Sequence, residues 1–159
     1  MIRPATADDL EQILQLVREL AEFEEKPDAA VGTVESYTAA MFPGTGSPTV
    51  WGHVAEVDGL VVGIAIWFLT FSTWTGKNGV WLEDLYVSPQ HRGQGLATKL
   101  MAQLAAVCVE RGYPRMEWTV LDWNTSAQEV YQHLGARAMD DWTTQRLTGD
   151  SLTALGSRA

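Results

Sequence analysis

Between residues 80 and 111 the hydrophobic period switches from strand-like to helical across a glycine-rich turn, and that switch dictates an α/β fold. Val80–Val87 is apolar or aromatic at most positions, as a strand is, but it carries Glu83 and Asp84 in its middle. Ser88-Pro89-Gln90-His91 leads into Arg92-Gly93-Gln94-Gly95. Leu96, Leu100, Leu104 and Val107 then repeat at helical spacing, flanked by Ala97, Met101 and Cys108, until Gly112 ends the helix. Strand, loop, glycine turn and helix in that order can hold a phosphate group. The first N–H groups of a helix have no internal partner, and the helix dipole adds positive potential there. Gly93 and Gly95 lack the Cβ atoms that would keep an anion at a distance, and Arg92 adds a formal charge at the lip. Such turns also serve as plain helix entries, so the pattern alone marks an anion site only weakly.

The rest of the chain surrounds this unit with further elements. Ile2-Arg3-Pro4 reads as a short strand, followed by a helix that Thr6 or Asp8 can cap and on which Leu10, Ile13, Leu14, Val17, Leu20 and Ala21 share a face. Pro27 ends it, and a second helix runs from Thr33 to about Met41, broken by Pro43-Gly44-Thr45-Gly46. Two β-rich runs, Val50–Val57 and Leu60–Phe71, meet at Asp58-Gly59, the strongest short hairpin signal. Thr73 to Gly79 is a polar turn. After Gly112 come a strand at Arg115–Leu121, a short helix at Asn124–Leu134 and a last strand at Arg137–Leu147. With no repeats and no linker, the reading is one α/β domain with a mixed sheet over residues 1–147, then a C-terminal tail over 148–159.

Composition narrows the partners. A net charge of −9 over 159 residues, without clustered Lys and Arg, argues against nucleic acid and favours a cationic ligand, although acidity also simply aids solubility. No run of 18 apolar residues exists and Met1 leads straight into a strand, so neither a membrane span nor a secretory leader is expected. The single cysteine, Cys108, falls on a core stripe; it offers no disulfide scaffold or cysteine zinc cluster and suits the cytoplasm.

Two phosphate-binding patterns fit poorly. A P-loop needs Gly-Lys-Ser/Thr, which is missing. A Rossmann fingerprint needs a small residue where Thr98 stands, and it normally opens its domain rather than arriving after a hairpin, although Asp122 is almost in place for the ribose. Arg92-Gly93-Gln94-Gly95-Leu96-Ala97 instead matches the pattern Arg/Gln-x-x-Gly-x-Gly/Ala. Leu82-Glu83-Asp84-Leu85-Tyr86-Val87-Ser88-Pro89 before it, Ile2–Thr6, Glu19–Glu24, Trp74–Lys77, Trp123-Asn124, Tyr131 and Gly135-Ala136 continue the match in order along nearly the whole chain. On these segments the sequence resembles the GNAT superfamily of N-acetyltransferases, and within it the diamine (spermidine/spermine) branch and its thialysine-acetylating relatives.

The resemblance implies a mixed, mostly antiparallel central sheet flanked by helices. It also implies direct transfer of an acetyl group from acetyl-CoA to the primary amine of a small molecule, with no metal. It places the coenzyme on Leu85, Tyr86 and Val87 through backbone groups, on Arg92, Gly93, Gln94, Gly95, Leu96, Ala97 and Thr98, and on the turn holding Asn124, Ser126 and Ala127. Glu83 matches the position of the general base and Tyr131 that of the general acid; a phenol suits a leaving thiolate of similar basicity. A carboxylate in an apolar strand is costly unless it is used or wetted, which independently marks Glu83. Strand alternation sends Asp84 to the other face, in a structural role, unless a bulge intervenes.

Read without the resemblance, Tyr131 is one aromatic on an amphipathic helix and Asn124 is a helix cap. For the amine, the resemblance points to Phe23, Glu24, Glu83, Glu117, Trp118 and Thr119, with Asp140 or Asp141 adding charge. Glu22, Glu24 and Glu25 read equally as a solvated helix end. Phe23 stands where the mammalian-type pattern prefers tyrosine, and the run Leu134 to Trp142 is shorter than in that pattern, so the amine stays open among polyamine, diamine, thialysine and lysine-like acceptors. The branch implies a homodimer. Rival classes are a non-catalytic acyl-CoA-binding module and a peptide N-terminal acetyltransferase; Glu83 with Tyr131 argues against the first, the Glu22–Glu25 segment against the second.

Overall fold

The structure, a computed structural model, describes residues 1–159. They divide into two compact units, Met1–Thr119 and Val120–Ala159. The first holds strand β1 (Ile2–Pro4), helices α1 (Leu10–Phe23) and α2 (Val34–Met41), strands β2 (Trp51–Val57), β3 (Leu60–Ser72) and β4 (Lys77–Val87), helix α3 (Leu96–Arg111) and strand β5 (Met116–Glu117). The five strands form one sheet in the order β1-β2-β3-β4-β5, antiparallel throughout except for the parallel β4–β5 pair. This is the mixed, mostly antiparallel arrangement expected.

Local sequence explains the elements. Asp58 and Gly59 both take positive φ, 52° and 79°, and make the tight β2–β3 hairpin. The Thr33 hydroxyl accepts from Ser36 N while the Ser36 hydroxyl accepts from Thr33 N, which caps α2 at the residue where its start was expected. Before α1, the Asp9 carboxylate takes a bidentate pair from Arg3 at 2.7 and 2.8 Å and accepts from Thr6 N as well, tying β1 to the helix. Helix α1 stops at Phe23, ahead of Pro27, because Glu25 turns left-handed at φ 59° and Lys26 N reaches back to Ala21 O.

One face of the sheet packs Val54, Ile64, Ile66 and Tyr86 against Leu10, Ile13 and Leu16 of α1 and Met41 of α2. The other is covered by α3, whose Leu96, Leu100, Met101, Leu104, Val107 and Cys108 are all buried. On this second face Trp67 stacks on Trp51 at 5.0 Å and donates to His53 Nδ1 at 3.2 Å.

The second unit departs from expectation. Helix α4 (Thr125–His133) forms under an Asn124 cap, but Arg137–Leu147 forms no strand. Adjacent Asp140 and Asp141 and the polar run Thr143–Arg146 leave that segment without a continuous apolar face to bury. The strand expected at Arg115–Leu121 shrinks to β5, because β4 bulges at Glu83, just past their last pair, Trp81 with Glu117. Residues 148–159 carry a helix, α5 (Gly149–Gly156), with every residue exposed. No helix is long and apolar enough to cross a membrane.

Candidate active site

The site is built on an irregularity in β4. Ile66 of β3 faces Asp84, yet the next residue, Trp67, faces Leu82, so Glu83 is an extra residue without a cross-strand partner. Cross-strand partners share a face. Ile66 and Ile64 belong to the core under α1 and α2, so their partners Asp84 and Tyr86 point to that face. Trp81, beside Phe68 at 6.3 Å, points there too, and its Nε1–H donates to Glu83 Oε2 at 2.9 Å. Trp81, Glu83, Asp84 and Tyr86 therefore share one face. Alternation would separate Glu83 from Asp84 unless a bulge intervened; the bulge is present and resets the alternation between them.

The consequences are electrostatic. Burial, followed by the charges of Glu83 and Glu24, pushes the Asp84 carboxyl up to about 6. Burial and the charges of Asp84 and Glu83 also raise the Tyr37 hydroxyl of α2. The two β4 carboxylates thus lie near one tyrosine, which also lines a cavity of about 150 Å³ with Leu14, Val17 and Arg18. Tyr37 and Trp81 went unrecognised in the sequence, and Asp84 was assigned a structural role there unless a bulge intervened. A bulge has no residue signature, and Tyr37 reads as one more apolar position on a short helix.

Downstream of β4 lies the glycine turn. The Ser88 hydroxyl and His91 Nδ1 are 2.9 Å apart, and Arg92 Nε donates to Val87 O at 3.0 Å. Gly93 and Gly95 take φ of 75° and 71°, the left-handed region that suits glycine. Lys99 N bonds to Gly95 O, so the N–H groups of Leu96, Ala97 and Thr98 stand ahead of the helical ladder. Gln94 and Thr98 are exposed, Ala97 partly buried and Leu96 buried. Beside this turn, β5 pairs with β4 only at Val80 and Trp81, so Leu85, Tyr86 and Val87 have no strand on that edge. An open strand edge running into a helix N-terminus fits a long ligand with a polar arm and an anionic head.

The comparisons with known proteins agree with this geometry. Residues 10–136 match the model of the acetyltransferase (GNAT) family. The chain belongs to the GNAT family. Enzymes of that family take their acetyl group from acetyl-CoA. Among curated GNAT relatives, thialysine N-epsilon-acetyltransferase of Mus musculus is 36% identical over 99% of this chain and 97% of its own length. Spermidine/spermine N(1)-acetyltransferase-like protein 1 of Homo sapiens is 31% identical over 85% of this chain, which spans 20% of that protein. Among solved structures, an integron cassette protein from the mobile metagenome of V. cholerae superposes with a TM-score of 0.80 at 22% identity, covering 98% of this chain and 96% of that one.

The other expected GNAT positions are distributed as follows. Phe23 is the last residue of α1, 40% exposed, and Glu24 caps the helix. Glu117 accepts from Arg115 Nε at 2.9 Å, so its charge is already shared; Trp118 is partly buried and Thr119 exposed. In the second unit, Asn124 Oδ1 accepts from Ala127 N and from the Ser126 hydroxyl, each at 3.3 Å. Tyr131 is partly buried on α4, and burial raises its phenol, which keeps the proton on at neutral pH. Asp140 is exposed.

Proposed function

We propose that this GNAT enzyme transfers the acetyl group of acetyl-CoA to a primary amine of a small, cationic molecule of the thialysine, lysine-like or polyamine kind. The observation that carries the reading is the β4 bulge, which sets Glu83 and Asp84 on one face immediately before the glycine turn. The 36% identity to a thialysine acetyltransferase along nearly the whole chain supports the acceptor class.

In this reading the N–H groups of residues 93–98 hold the coenzyme pyrophosphate, Asn124, Ser126 and Ala127 flank the coenzyme, and Leu85 to Val87 pair with its pantetheine arm. Glu83 takes a proton from the acceptor ammonium, directly or through water, which frees the lone pair for attack on the thioester carbonyl. Asp84 and Glu24, with Phe23, attract the amine, while Glu117, Trp118, Thr119 and Asp140 are further candidates for its distal end. Tyr131, protonated at neutral pH, supplies a proton to the departing thiolate, and the second proton that the acylated nitrogen loses restores the phenol through solvent. A homodimer and a cytoplasmic location belong to the same proposal; sedimentation tests the first.

The test is coenzyme release with a panel of thialysine, lysine, ornithine, diamines, spermidine and short peptides. Small amines are expected to react, and Tyr131→Phe and Glu83→Gln to lower kcat by about 100-fold or more, the usual range for loss of an acid or base. Binding of acetyl-CoA without acetylation of any amine would make the chain a non-catalytic module. Reaction with peptides alone would sink the small-amine reading.

A further inference from the structure

Arg92 has its side chain committed between two elements, β4 and α1. Its Nε–H is fixed on Val87 O at 3.0 Å, which ties it to the end of β4. Its guanidinium carbon lies 5.3 Å from the ring centroid of Phe23 and 5.5 Å from that of Tyr86. Phe23 comes from the end of α1, whereas Tyr86 comes from β4 and is buried in the core. Burial and then the charge of Glu19, one helical turn before Phe23, raise the Tyr86 hydroxyl. A planar cation held by two rings and a carbonyl has little rotational freedom, and arginine suits this seat because its flat face stacks while its edge donates. Residues 93–95 follow immediately, so the position of the glycine turn depends on a ring supplied by the far end of α1.

We infer that Phe23 is a positioning residue for the coenzyme turn, acting through Arg92, and not only a wall of the amine site. The inference rests on the reading of residues 92–98 as the coenzyme A site. It also links the two halves of the reaction. Glu24, next to Phe23, contributes to the field at Asp84. One helix end therefore stacks on the arginine of the turn and adds charge to the field at Asp84, and whatever factor the amine exerts on coenzyme affinity the coenzyme must exert on amine affinity.

The experiment titrates coenzyme A, without any amine, into the full chain and four sets of variants: Phe23→Leu, Phe23→Tyr, Arg92→Ala and the Phe23→Leu/Arg92→Ala pair. Phe23→Leu is expected to weaken coenzyme A about threefold, while Phe23→Tyr, which keeps the ring, stays at the wild-type value. In the Arg92→Ala background Phe23→Leu is expected to have no further effect, since a residue acting through another loses its influence when that other is removed. Phe23→Met, run alongside, keeps an apolar side chain of similar length without a ring and guards against misfolding of the leucine variant; the same threefold loss is expected. An unchanged affinity in both ring-less variants overturns the inference, as does an equal loss with and without Arg92. A wild-type chain that fails to bind coenzyme A overturns the site reading itself, which is a distinguishable result.

Discussion

Trp81 Nε1 donates to Glu83 Oε2 at 2.9 Å, so the carboxylate that the β4 bulge leaves without a cross-strand partner is oriented by a neighbour two residues away. Trp81→Phe keeps an aromatic ring beside Phe68 and removes only the donor. A hydrogen bond of this kind contributes about 1 kcal/mol, so kcat/KM for the amine is expected to fall about fivefold. Coenzyme titration serves as the comparison, because Trp81 lies on the amine side. A loss confined to coenzyme affinity would remove Glu83 from the amine chemistry.

Asp84 carries a pH signature. Its carboxyl is raised from 3.8 to about 6, first by burial and then by Glu83 and Glu24. Between those values the folded chain holds a proton that the unfolded chain releases, so stability declines as pH climbs from about 4 to 6. Asp84→Asn removes the penalty. The variant is expected to melt near the wild-type temperature at pH 3.5 and higher than wild type at pH 8, by roughly 5 °C for about 2 kcal/mol. The same variant is expected to bind the amine more weakly. A melting difference that does not change between the two pH values would show that Asp84 is not under this strain.

The parts legible in the sequence are those set by local chemistry. Asp58-Gly59 announced the hairpin, Thr33 the start of α2, and the Leu96–Val107 stripe the buried face of α3, because turn φ values, caps and helical period act over a few residues. The glycine turn was legible for the same reason. The direction of Asp84 stayed open between alternation and a bulge, because it depends on how β3 registers against β4 fifteen to eighteen residues away. The missing strand at Arg137–Leu147 has a local cause instead: Asp140-Asp141 and the polar run Thr143–Arg146 leave no continuous apolar face to bury. Phe23 was expected as an amine contact, but its stacking on Arg92 joins residues 69 positions apart and has no sequence signal.

Asp9 supplies the opposite pH dependence. The Arg3 guanidinium, with help from Thr6, holds its carboxyl at about 2 despite burial. The folded pKa lies below the unfolded one, so this stabilisation is complete above about pH 4 and is lost as pH falls toward 2. Asp9→Asn is expected to cost about 2 kcal/mol at pH 7, read from denaturant unfolding, and almost nothing at pH 2. Equal costs at both pH values would assign the effect to packing rather than to the ion pair.

Gly93 allows strain to be separated from ligand contact. It adopts φ +75°, and a Cβ built there meets no protein atom within 4 Å, so alanine would be strained without clashing with the protein. Gly46 has φ +84° and an equally open surrounding, in the loop after α2 and far along the chain from the turn. Gly93→Ala and Gly46→Ala should therefore lose similar stability, about 1 kcal/mol each, from the left-handed backbone alone. Their coenzyme affinities are expected to diverge. If residues 93–98 hold the pyrophosphate as proposed, a methyl at residue 93 takes space the phosphate needs, so Gly93→Ala is expected to bind coenzyme A at least tenfold more weakly, while Gly46→Ala keeps the wild-type affinity. Equal affinities in the two variants, at equal loss of melting temperature, would mean that the turn enters its helix without ever holding the phosphate.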